Sequence, residues 1–91
     1  MSKEITSKTK LKKSPDVAEK TGKETLIFDV VAGRLYELNE TGRILWSLCD
    51  GKHAIDDMMK TIREQYDVSD SKVKEEVFSF LKKMLEAGLI R

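Results

Sequence analysis

Cysteine is almost absent from this sequence. Cys49 is the only one, so no intramolecular disulfide can form, and a reducing, cytoplasmic setting fits. Histidine is as scarce: His53 stands alone, Gly51 separates it from Cys49, and no second ligand pair follows. That leaves no spacing for a zinc or other metal site. There is no glycine-rich phosphate loop, no Ser/His/Asp set and no H-E-x-x-H motif. Asp56 and Asp57 are neighbours, but adjacent positions on a helix diverge by about 100° and cannot share a site. The sequence therefore makes no case for an enzyme and implies no cofactor. No apolar run has the length of a membrane span or a signal-peptide core, which argues against a membrane partner.

What remains is enough for one small domain. The chain has 91 residues, 40% hydrophobic and 36% charged. A core of this size is marginal, so two large aromatics, Trp46 and Phe28, are expected to contribute to it. The net charge of +1 is unevenly spread. Residues 1–15 hold five lysines and one glutamate, whereas residues 16–91 hold twelve basic and fifteen acidic residues. The folded part is thus mildly acidic, which argues against a grip on nucleic-acid phosphates. Residues 1–14 have only Ile5 and Leu11 as large aliphatics and read as a disordered basic tail, with Pro15 at its boundary.

The central stretch, RLYELNETGRILWSLCDG, reads as a strand that turns abruptly into a helix. In the strand Arg34–Leu38, Tyr36 and Leu38 point one way, Leu35 and Glu37 the other. Asn39 occupies a helix N-cap, Glu40 suits the positive end of the helix dipole, and Gly51 supplies a stop for a helix over 40–50. Before it, residues 16–21 are weakly strand-like and residues 24–31 are strongly so, with Ala32-Gly33 closing a hairpin. This predicts a three-stranded antiparallel meander whose last strand is an edge. After it, Ile55, Met58, Met59, Ile62 and Tyr66 mark a one-sided helix over 54–66. Ser69 or Asp70 caps a third helix over 70–87, with Val73, Val77, Phe80, Leu81 and Met84 as its core stripe. Phe78 and Leu85 widen that stripe to one side, either to cover the sheet or to face a ligand.

Leu38-Asn39, Ile44-Leu45 and Cys49-Asp50-Gly51, in that order, resemble the "LN…IL…cDG" signature of PqqD-like proteins. These are small peptide chaperones of pyrroloquinoline quinone biosynthesis and their relatives. The resemblance continues through Ile55, Met58 and Tyr66, then through Glu76-Val77, Phe80-Leu81, Met84 and Gly88-Leu89-Ile90, and covers residues 17–90. Ala54 departs from the family where many relatives have Ser or Thr, Glu76 replaces the usual Asp, and the lysine-rich start is not a family feature.

The resemblance implies an α+β winged helix-turn-helix domain that binds the leader of a ribosomally made precursor peptide and presents it to a modifying enzyme, often a radical S-adenosylmethionine enzyme. The leader would add as a strand beside Arg34, Leu35, Tyr36, Glu37 and Leu38, and lie against Lys74, Phe78, Leu81, Lys82 and Leu85 of the third helix. A monomer or weak dimer is expected. Two other classes stay open on the residues alone: a winged-helix DNA-binding module and a structural subunit of a larger enzyme. Against DNA, the third helix mixes Lys72, Lys74, Lys82 and Lys83 with Glu75, Glu76 and Glu86.

Overall fold

The computed structural model describes residues 5–91. Its elements run β1 (Lys10–Lys12), β2 (Val17–Thr21), β3 (Thr25–Asp29), β4 (Arg34–Leu38), α1 (Glu40–Ser47), β5 (Asp50–Ala54), α2 (Ile55–Gln65) and α3 (Asp70–Glu86). Strands β2, β3 and β4 form the expected antiparallel meander, and β4 is an outer strand of it. The hairpin between β3 and β4 turns through Gly33 at φ +67°, a conformation that a side chain resists. The α+β winged-helix architecture expected from the sequence is therefore present.

The strand faces follow the two-residue period, and the core sits on the face of Ile27. Ile27 is fully buried, and its registered partner Tyr36 is half-buried, as is Leu38. Phe28 does not take the core position expected of it: 41% of it is exposed. A strand fixes that neighbours point to opposite faces but not which face is covered, and here the helices cover Ile27. Trp46 does take its core position, at 2% exposure. A buried indole N–H needs an acceptor, and the Glu19 carboxylate of β2 provides it. Lys13 lies 3.4 Å from the same carboxylate and 5.0 Å from the Trp46 ring centroid.

Lys13 belongs to the stretch read as a disordered tail, and the fold corrects that reading. Residues 1–4 lie outside the described residues, but Lys10–Lys12 form β1, and Leu11 is fully buried. β1 pairs antiparallel with β5, and Lys12 exchanges two main-chain bonds with Arg91, each 2.8 Å. Residues 10–12 are thus held between β5 and the C-terminal residues. One apolar side chain between two lysines is a complete strand pattern when only one inward position exists. It is too short to register as periodicity, and composition alone gives it the look of a solvated segment.

The first helix also ends sooner than expected, at Ser47. Gly51 does adopt the positive φ foreseen for it (+78°), but as the second residue of β5 and not as the helix stop. α3 ends as the sequence suggests. Gly88 has φ +74°, its N–H reaches Leu85 O, and the Leu89 N–H reaches Met84 O, both at 3.0 Å. This paired closure turns Leu89 and Ile90 back into the core, where both are buried.

Candidate functional site

Bonding direction alternates along an antiparallel strand, and one bond sets the phase for the whole meander. The Val30 N–H donates to Asp16 O at 3.1 Å, so Val30, Phe28 and Leu26 turn their main-chain groups toward β2. Asp29, Ile27 and Thr25 then serve β4, where their partners are Arg34, Tyr36 and Leu38. Leu35 and Glu37 are left with N–H and C=O groups directed at the free edge. Among the described residues the meander therefore ends in two open donors and two open acceptors, spaced for one more strand.

At its C-terminal end this edge meets a cavity. Asn39, directly after β4, caps α1 by accepting the Gly42 N–H at 2.8 Å. Gly42 is buried where three elements converge: a Cβ built on it would lie 3.1 Å from Phe80 Cε2, 3.1 Å from Asn39 Oδ1 and 3.5 Å from Leu38 Cβ. An added Cβ would press on the Phe80 ring and on the Asn39 cap oxygen. Beside it opens a cavity of about 490 Å³ between the start of α1 and one flank of α3. Asn39, Thr41, Gly42 and Leu45 line it from α1; Lys72, Glu76, Ser79, Phe80 and Lys83 are among its α3 residues. β4 packs against α1, and Asn39, directly after β4, carries the chain to the rim of this cavity.

The structure brings together part of the expected set. Arg34, Leu35, Tyr36, Glu37 and Leu38 form the edge strand. Leu81 is fully buried in the core and presents nothing to a groove. Lys74, Phe78, Lys82 and Leu85 do not line the α1–α3 cavity. Positions 78 and 80 lie about 160° apart around a helix, so a cavity lined by Phe80 has Phe78 on the far flank. Phe78 and Leu85 are half-buried against the core. The sequence pattern placed Phe80 in the core stripe; it is half-buried, packs against the core and also walls the cavity. The one available signal was Gly42, a glycine inside a helix, which marks a close approach by another element.

Three titratable side chains are held away from their ordinary pKa values, each by its local surroundings. The Cys49 thiol is 1% exposed and donates to Leu45 O at 3.3 Å. Burial pushes its pKa up to about 12, against a smaller opposing effect of Lys13. It is a thiol and not a thiolate at neutral pH. Asp50 accepts the Lys52 N–H at 2.8 Å and the His53 N–H at 3.1 Å, and lies 2.9 Å from His53 Nδ1. The Lys52 bond first, then the His53 side chain, hold its carboxyl down at about 2. This is a local turn lock. Burial first, then the Glu40 carboxylate, raises the Tyr66 phenol above its usual range. Among the described residues no three His, Cys, Asp or Glu converge to hold a metal ion, and no helix is long and apolar enough to cross a membrane.

The fold has solved counterparts. The chain superposes on a structure described as TbiB1 in complex with the TbiA(beta) leader peptide, with a TM-score of 0.81 and 21% identity, covering 88% of this chain and 94% of that one. It also superposes on a lasso peptide synthetase B1 complexed with the leader peptide, with a TM-score of 0.79 and 20% identity, covering 91% of this chain and 99% of that one. At such identities the likeness is one of fold. No curated protein sequence matches the chain significantly. Residues 24–90, from the start of the second meander strand to the buried C-terminal turn, match coenzyme PQQ synthesis protein D, and the chain belongs to that PqqD family.

Proposed function

We propose that this protein is a non-catalytic recognition element for the leader of a ribosomally made precursor peptide. The leader adds as a strand beside β4 and is presented to a modifying enzyme of the radical S-adenosylmethionine class. The observation that carries the reading is the open edge at Leu35 and Glu37, on a strand that runs directly into Asn39 at the rim of the Phe80-walled cavity. Both structural counterparts are complexes with leader peptides, which supports the same kind of ligand here. Each main-chain bond nets only about 1 kcal/mol, and ordering a free peptide costs several. Side chains of the leader must therefore supply the balance, and the cavity offers one of them the Phe80 ring and Leu45 within a lining that is otherwise mostly polar or charged.

The edge itself can be tested with proline. The Glu37 N–H points outward, so Glu37→Pro removes a donor that only an incoming strand uses. Peptides are first selected on the whole chain from a random-peptide display library. Glu37→Pro should keep the thermal midpoint close to that of the wild type and lose those peptides. Backbone amide shifts on titrating a selected peptide should centre on Leu35, Glu37 and α3. Shifts confined to α2, or unimpaired binding to Glu37→Pro, would refute strand addition.

A further inference from the structure

The sheet carries apolar surface on the side away from its core. Phe28 and Leu35 are registered partners across β3 and β4, 41% and 65% exposed, with Ala18 beside Phe28 on β2. The three make one row on the outer face, and it runs off the sheet at the open edge. The next row is Lys20, Leu26 and Glu37. Glu37 ends that row and makes no ion pair among the described residues.

We infer that this outer face is a second specificity surface for the peptide, in which Leu35 with Phe28 takes an apolar side chain and Glu37 takes a basic one two positions away. The inference rests on strand addition at β4, and the continuity of both rows with that edge names the occupant. A residue placed beside Leu35 shares its face of the sheet in either strand direction, because side chains alternate in step across paired strands. So does the residue beside Glu37. The residue between them sits beside Tyr36 and points inward, toward the core side of the sheet. The edge thus reads a triplet: an apolar residue outside, a residue facing inward, and Lys or Arg outside. The inner groove alone would leave the two outer positions unselected. An exposed leucine paired with an exposed phenylalanine, at the edge of a sheet in a marginal domain, also has a use under this reading; otherwise it is a standing aggregation risk.

The probe is the same random-peptide display library, panned separately on the wild type, Leu35→Ser and Glu37→Lys. Both altered positions are exposed, so both variants should fold. Peptides from the wild type should share the apolar and basic residues two apart. Glu37→Lys should exchange the basic preference for Asp or Glu and keep the rest of the pattern. Leu35→Ser should lose the apolar preference at that position alone, and should bind peptides selected on the wild type about two- to fivefold more weakly, the range of a cross-strand pair. Peptides that require the open edge, shown by their loss on Glu37→Pro, but have the same pattern on all three baits would overturn the outer-face proposal and leave strand addition standing. Recovery of no edge-dependent peptide would overturn both.

Discussion

Asn39 Oδ1 accepts the Gly42 N–H at 2.8 Å, and the same oxygen lies 3.1 Å from where a Cβ on Gly42 would stand. One side chain therefore caps α1 and borders the cavity wall. Its first role is structural: removing a side-chain N-cap typically costs about 1 kcal/mol. Asn39→Ala should lower the denaturation midpoint accordingly. Peptide affinity per folded molecule should change little, because the cap bond and not the ligand uses the oxygen. An unchanged midpoint with lost peptide binding would reverse the assignment.

Leu11 is the only buried side chain of β1, and it is fully enclosed. Leu11→Ala should destabilise the domain by roughly 2–5 kcal/mol, the cost of emptying a core leucine site. In a domain of this size that is a large share of the total. Urea denaturation of the two proteins measures it. A loss below half a kcal/mol would mean that β1 is dispensable and that the tail reading was sound.

The contrast between Leu11 and Phe28 shows where the sequence is legible. Strong local patterns came through: the alternation around Ile27, the Asn39 cap, the 3.6-residue stripe of Ile55, Met58 and Ile62, and the glycine stop at Gly88. What stayed hidden depends on partners distant in the chain. β5 consists of Asp50, Gly51, Lys52, His53 and Ala54, with no large apolar residue, and exists because β1 pairs with it. β1 in turn needs β5 and Arg91. Phe28 alternates as a strand residue should, but the covered face is chosen by helices that come later. At the site, the edge was legible because the chain leaves the sheet after Leu38. The α3 flank was not, since Phe78 and Phe80 both adjoin the same stripe and only the close approach of Gly42 to Phe80 shows which side the cavity takes.

Acid should unfold the protein partly through Asp50. Hydrogen bonds from Lys52 and His53 hold its folded pKa at about 2, below the roughly 3.9 of an unfolded Asp. A depressed carboxyl contributes stability that is fully present above the unfolded value and is lost as pH falls through the folded one. The window is thus from about pH 4 down to about pH 2. Asp50→Asn should flatten the dependence of the urea midpoint on pH in that window. Parallel wild-type and mutant profiles there would show that the turn lock adds no pH-dependent stability.

The sharpest test compares Phe78 with Phe80. Both are half-buried on α3, about 160° apart, and only Phe80 walls the cavity. If the leader's inner side chain enters that cavity, Phe80 is an aromatic anchor, and Phe80→Ala should weaken binding of a selected peptide by roughly 1–3 kcal/mol. Phe78 packs against the core as Phe80 does, but lines no part of the cavity. Phe78→Ala should chiefly reduce stability, by less than the 3–5 kcal/mol of a fully buried phenylalanine. Its folded fraction should bind nearly as well as the wild type. Both quantities are measured on both variants, stability by denaturation and affinity by calorimetry below the midpoint. The opposite pattern, with affinity lost at Phe78 and kept at Phe80, would move the peptide to the other flank of α3, beside Lys74, Lys82 and Leu85. Equal losses of affinity at both positions would mean that neither flank is the groove and that the truncations act through the orientation of α3 itself.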